Sequence, residues 1–145
     1  NYHLLIAGSG PLEEKVRNMA AKKTNVHYLG YQSKQNVLSL IQGSDLLIQP
    51  SLEEGMSSTL LEAMACGTCI LASNIEGISE IIENNKNGVL VEPNNSDELS
   101  NKILDLLPTK EKRLRMAKEG IEIVKQYDWK VVGKLYLDFY KSLLN

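Results

Sequence analysis

Apolar residues recur along this chain in two alternating modes. Short apolar runs bounded by Gly, Pro, Asn or Asp occupy residues 3–7, 26–29, 45–49, 69–72 and 88–91, and such runs predict buried strands. Between them the apolar positions fall at helical spacing. Residues 12–22 place Leu12, Val16, Met19 and Ala20 on one face, with Glu13 and Glu14 in the first turn, where the helix dipole favours acids. Residues 34–42 group Val37, Leu38 and Ile41, with Ser33 as a cap. A third helix is predicted over 58–66, carrying Leu60, Leu61, Met64 and Ala65, and a short fourth over Ile78–Ile82. Strands separated by helices predict parallel pairing through right-handed crossovers. The fold class is therefore α/β, a parallel sheet with helices on both faces, followed by C-terminal helices. The latter are predicted over 96–107, opened by Ser96, then 109–126 and 129–143. The last holds Trp129, Tyr136, Phe139 and Tyr140, a stripe that reads as core packing or as a surface for docking onto another domain.

Composition narrows the classes. The 145 residues suit one domain, 1–145, and no apolar run approaches the roughly 18 residues of a membrane span. A formal net charge of −2 gives no electrostatic footprint for nucleic acid or an anionic membrane. Any phosphate must be held locally. The opening Asn1-Tyr2-His3-Leu4-Leu5-Ile6 lacks the basic start of a signal peptide and reads as a strand entered within a domain. A cytoplasmic location is expected. Cys66 and Cys69 are spaced like a redox pair, but Cys66 closes a helix and Cys69 opens a strand, the reverse of the redox order, so buried reduced thiols are expected. His3 and His27, each in an apolar strand, read as structural.

Candidate chemistry lies in loops that follow strands, where ligands bind in open α/β sheets. Gly8-Ser9-Gly10-Pro11 lets backbone amides approach a phosphate ahead of a helix N-terminus. It fails as a dinucleotide fingerprint, because Glu13 stands where a third small residue belongs, an anion aimed at the supposed pyrophosphate. The residues alone leave open whether this is a phosphate loop or a tight turn. The second loop runs from Gln49 through Glu53, Glu54, Gly55 and Met56 into Ser57, Ser58 and Thr59, where a helix begins and free amides converge on an anion. Glu54 precedes that anion hole. Glu62, one turn inside, suits vicinal hydroxyls such as a ribose, since a carboxylate accepts two hydrogen bonds. Thr59 and Glu62 equally match a capping box, which would make Glu62 structural.

The stretch Pro50-Ser51, Glu54-Gly55 and Leu61-Glu62-Ala63-Met64-Ala65-Cys66-Gly67 closely resembles the signature of family-four retaining glycosyltransferases with two Rossmann domains (GT-B). Leu5-Ile6-Ala7-Gly8-Ser9-Gly10-Pro11, Val26-His27-Tyr28-Leu29-Gly30, Glu76-Gly77-Ile78-Ser79-Glu80 and Asn87-Gly88-Val89-Leu90-Val91 agree with it in order. The resemblance implies the C-terminal, donor-binding half of such an enzyme. Glu62 would hold the donor ribose, and Glu54 would contact the transferred sugar near its reacting carbon. Gly55, Met56, Ser57, Ser58 and Thr59 would offer amides to sugar and diphosphate. Gly8, Ser9 and Gly10 would approach the diphosphate, the loop at Gly30 would bracket the base, and Glu80 would be a supporting acid nearby. The implied donor is a nucleoside diphosphate sugar, UDP-sugar favoured over GDP- or ADP-sugar. The implied acceptor is a glycan or lipid-linked molecule in capsule, lipopolysaccharide or exopolysaccharide synthesis. No cofactor and no metal are implied.

The chain departs from that pattern in three ways. The strand and helix that usually supply a diphosphate-clamping arginine and lysine are absent, as is the acceptor-binding domain, so the isolated chain is expected not to transfer sugar. A missing strand would leave a gap or an exposed edge in the sheet. Met56 replaces an aromatic residue, Glu76 a glycine and Cys69 a proline. A noncatalytic nucleotide-binding subunit and another Rossmann-like nucleotide-binding protein are the alternatives.

Overall fold

A computed structural model describes residues 2–144. Its elements run β1 (Leu4–Ala7), α1 (Glu13–Ala20), β2 (Val26–Gly30), α2 (Lys34–Gln42), β3 (Leu47–Gln49), α3 (Ser58–Cys66), β4 (Ile70–Ser73), β5 (Val89–Val91), α4 (Ser96–Leu106), α5 (Lys110–Val124), a 3-10 turn (Lys125–Tyr127) and α6 (Trp129–Ser142). The chain divides into two compact units, Asn1–Leu40 and Ile41–Asn145. The pairing is parallel throughout, as the alternation of strands and helices requires, but the five strands form two sheets, β1-β2 and β3-β4-β5. In each sheet both outer strands, β1 and β2 in the first and β3 and β5 in the second, pair on a single edge.

In the first unit β1 pairs with β2 in the register Leu4↔Val26, Leu5↔His27 and Ile6↔Tyr28, then slips so that Ala7 faces Gly30. Gly30 takes φ +66, a value that favours glycine, at that slip. His3 Nδ1 lies 2.9 Å from His27 Nε2, with the rings stacked, so one nitrogen of each imidazole is satisfied by the other. Only Ala20 is buried among the described residues of this unit, and Leu4 and Leu5 are 43% and 44% exposed.

The second unit carries the core. β4 is buried along its whole length. Side chains alternate across a strand, and Leu71 of β4 joins Val89 and Val91 of β5 against Leu106 of α4 and Met116 of α5, with Cys69 at one end. Gly120 of α5 lets Met64 of α3 approach, since a Cβ there would meet Met64 Cγ at 3.3 Å. Fully burying one such aliphatic side chain stabilises the fold by about 1.5–3 kcal/mol.

Several local expectations change. Ile78–Ile82 is not a helix but a run of turns, with Ser79 N–H bonded to Ile75 O and Ile82 N–H to Ile78 O. Gly77 at φ +81 breaks the helical path, and the Asn87 side chain takes the Glu83 N–H at 2.7 Å and donates to Ile81 O at 2.9 Å. Asn95 rather than Ser96 caps α4, accepting from Glu98 N–H at 3.0 Å. Ser33 caps α2 through Asn36 N–H as expected. The aromatic stripe of α6 is not core packing: Trp129 is 85% exposed, and Tyr136, Phe139 and Tyr140 are exposed as well.

Candidate functional site

β3 ends at Gln49, and the chain crosses Pro50–Met56 before α3 starts at Ser58. Ser57 is the N-cap, in extended conformation and 1% exposed. A serine in that place ordinarily caps the helix with its hydroxyl, but α3 receives no side-chain cap. Instead Gln49 Nε2 donates to Ser57 Oγ at 2.9 Å, and the hydroxyl lies 3.2 Å from Gln49 Oε1. The first intrahelical bond is Leu61 N–H to Ser57 O. The amides of Ser58, Thr59 and Leu60 meet no acceptor among the described residues. Those amides sit at the positive end of the helix dipole, an arrangement that draws anions.

Thr59 and Glu62 do not form a capping box. The helix starts two residues earlier than that motif needs, so Thr59 lies inside the first turn and Glu62 in the second. Glu62 is half-buried, and its charge adds to the burial that raises the Cys66 thiol. Glu54, Gly55, Met56 and Ser58 are exposed in the loop and at the helix mouth. The Glu54–Gly55 backbone rests on Gly77: a Cβ on Gly77 would fall 2.2 Å from Gly55 O and 2.5 Å from Glu54 O. Glu80, three residues on, lines a shallow depression of about 420 Å³ with Glu83, Lys86, Ile123 and Gln126, a lining that contains neither Glu54 nor Glu62.

In the first unit the structure brings Gly8 and Gly30 together, Gly8 N–H donating to Gly30 O at 2.8 Å. Gly8 takes φ +138, and no atom lies within 4 Å of a Cβ built on Gly8 or Gly10, so the turn is open on its outer side. The Tyr28 hydroxyl donates to Gly8 O at 2.8 Å. Desolvation and the neighbouring Glu13 carboxylate raise the Tyr28 phenol, with Arg17 opposing, which keeps it a neutral donor. Glu13 does not threaten the turn as an unpaired anion. Its carboxylate binds Arg17 Nη2 at 2.9 Å, and that guanidinium lies over the Tyr28 ring, 5.1 Å from its centroid.

The cysteines are free, and Cys69 is 2% exposed. Burial pushes its thiol up to about 11 despite Arg113, so it stays protonated.

Sequence reasoning misses three structural residues. In the sequence Gln49 is only the end of an apolar run, and Gly77 only a landmark. Arg113, on α5, is buried and donates to Leu106 O at 2.8 Å, to Leu107 O and to Asp45 Oδ1 at 2.6 Å, closing the C-terminus of α4. A polar residue closing an apolar run and a glycine following a strand are weak signals for such roles, and the Arg113 contacts over 68 positions leave none.

Comparison with known proteins gives a consistent set. The family model described as glycosyl transferases group 1 matches residues 1–123. The chain is 37% identical over 119 residues to the N,N'-diacetylbacillosaminyl-diphospho-undecaprenol alpha-1,3-N-acetylgalactosaminyltransferase of Campylobacter jejuni, covering 82% of this chain and 31% of that protein. It is 31% identical over 131 residues to an uncharacterised glycosyltransferase of Methanocaldococcus jannaschii, covering 89% and 37%. Among solved structures, Anabaena HepE in complex with UDP-glucose shares the fold at TM-score 0.84 and 23% identity, over 97% of this chain and 41% of that one. The chain thus spans about a third of the length of these curated relatives.

Proposed function

The chain belongs to the glycosyl transferases group 1 family, and from that membership we propose that it is the donor-binding part of a retaining, two-Rossmann-domain enzyme. Its donor is a nucleoside diphosphate sugar, UDP-linked in the first instance, as in the UDP-glucose complex of the similar Anabaena protein. Its acceptor is a glycan or a lipid-linked molecule, in keeping with the diphospho-undecaprenol named for the Campylobacter relative. The product belongs to surface polysaccharide synthesis of the capsule or lipopolysaccharide kind. Because the chain spans about a third of its relatives' length, transfer is proposed for a longer assembly and nucleotide binding for the chain itself. No helix among the described residues is long and apolar enough to cross a membrane. The longer enzyme is placed in the cytoplasm, peripheral to the inner face of the membrane.

The observation that carries this reading is the uncapped start of α3. The acceptor-free amides of Ser58 and Thr59 would bind the diphosphate and stabilise it as it departs with developing charge, a task that pre-oriented amides perform without a metal. Glu62, in the second turn, would bind the ribose hydroxyls. Glu54 would stand beside the reacting carbon, with front-face attack retaining the anomeric configuration and no protein adduct forming. Met56 and the Gly55 backbone would line the sugar. In the first unit the open Gly8–Gly10 turn is the matching phosphate-approaching candidate, with Gly30 behind it. Glu80 remains a supporting acid.

The test is an amide chemical-shift titration of the chain with UDP, GDP, ADP and NAD. Shifts at 54–62 with UDP, weakened about tenfold or more in Glu62→Ala, are expected from the loss of a charged hydrogen bond. Equal affinity for UDP in Glu62→Ala, or binding of NAD in preference to every diphosphate, overturns the assignment.

A further inference from the structure

The N-cap of α3 carries an oxygen suited to closing the helix and does not use it so. Ser57 Oγ is within reach of both ends of the Gln49 amide, at 2.9 Å from Nε2 and 3.2 Å from Oε1. A hydroxyl both donates and accepts, so the grip holds whichever way the amide is turned. Released, that oxygen would accept from the amides two or three residues on, here Thr59 and Leu60. The Thr59 N–H, one of the two amides given above to the diphosphate, has no acceptor among the described residues, so a hydroxyl set free would be drawn to it. A capping oxygen and a phosphate oxygen seek the same first-turn donors at the same end of the helix. They compete.

We infer that Gln49 is a positioning residue for donor binding: by holding the Ser57 hydroxyl aside, it keeps the mouth of α3 clear for a diphosphate. The inference rests on the donor-site reading given above and adds a gate to it. Gln49 is well placed for the task. It closes β3, and its pairing with Ala72 of the buried strand β4 fixes its backbone. Its amide is neutral, so it grips the serine without setting a negative charge beside an incoming anion, as a glutamate would.

The experiment is a cycle of four chains: the parent, Gln49→Met, Ser57→Ala and the double variant, each titrated with UDP. Methionine keeps the side chain's bulk, and Gln49→Leu serves equally should Gln49→Met fail to fold. With Ser57 in place, loss of the amide is expected to weaken UDP about fivefold, the weight of one serine cap. In the Ser57→Ala background the same change has no further effect, because no hydroxyl remains to compete. Hydrogen exchange of the Thr59 amide, read without nucleotide, slows in Gln49→Met alone. An equal loss in both backgrounds, which would mean that Gln49 merely supports the loop, or no loss in either, overturns the inference while leaving the donor site standing. Failure of the parent chain to bind UDP overturns the donor reading and the gate together, and the parent's own titration tells that case apart.

Discussion

Gly77→Ala puts a methyl group where the Glu54–Gly55 backbone already lies. The new Cβ would stand 2.2 Å from Gly55 O and 2.5 Å from Glu54 O, whereas carbon and carbonyl oxygen in contact sit about 3.3 Å apart. The loop must therefore retreat by about 1 Å, and no flexible side-chain tip is available to give way. Gly77 is also held at φ +81, where a β-carbon costs about 1–2 kcal/mol. Overpacking of this kind adds about 1–3 kcal/mol. The two together predict a loss of about 2–5 kcal/mol in stability. Because the displaced atoms belong to the loop that leads into the mouth of α3, UDP affinity should fall as well, by about tenfold for one lost hydrogen bond. Urea unfolding and UDP titration, run beside Gly133→Ala, read both effects. Gly133 lies in α6 with nothing within 4 Å of an added Cβ, so there alanine should stabilise by about 0.5–1 kcal/mol. A Gly77→Ala chain that unfolds within about 1 kcal/mol of the parent and binds UDP unchanged would refute the view that this contact sets the loop.

Arg113→Met strands the carbonyl of Leu107 and leaves Leu106 O with the Thr109 N–H alone, and should cost about 1–3 kcal/mol, most of it from the unpaired Leu107 acceptor. Its partner Asp45 is 73% exposed, so the ion pair itself contributes about 0–1 kcal/mol; the loss should persist in 1 M salt by the screening argument, and a loss that salt erases would reverse the assignment. Cys69, lifted from its ordinary value of 9.0 to about 11, should be thiolate in about one molecule per thousand at pH 8. Iodoacetamide should spare it in the native chain and modify it rapidly in urea, and the fold should lose stability as the pH climbs from 9.0 toward 11. Rapid native labelling, or a Cys66–Cys69 disulfide under mild oxidant, would contradict the buried-thiol reading.

The strands and long helices are legible in the sequence because their periodicities differ. Leu71, Val89 and Val91 lie in short continuous apolar runs, while Met116 and Gly120 recur at helical spacing. Ile78–Ile82 misleads because three isoleucines at helical spacing outweigh Gly77 on one side and Asn87 on the other, and both act through backbone geometry that a hydrophobic pattern does not register. The capping-box expectation fails by two residues: Ser57 and Thr59 are both capping types, and only the φ and ψ of Ser57 decide between them. Ordered motifs signal the family, whereas Gln49 cannot be singled out, since its role depends on a hydroxyl eight residues away being diverted from its usual acceptance of helix amides. Glu13 shows the same limit. Its sign is plain in the sequence and its effect is not, because Arg17 and Tyr28 neutralise it only once α1 and β2 have packed.

The thin interior of the first unit bears on timing. With Ala20 its one buried residue among those described, that unit has little apolar burial to resist local opening, and segments of this kind open at far lower free energy than the global unfolding of the molecule. Amides of β1 and β2 should therefore trade deuterium well before those of β4 and β5. A nucleotide that touches the Gly8–Gly10 turn would slow that exchange in proportion to its concentration over its Kd, whereas the buried strands would hardly register its arrival. Exchange in β1 and β2 would thus report by itself whether a nucleotide secures the glycine turn.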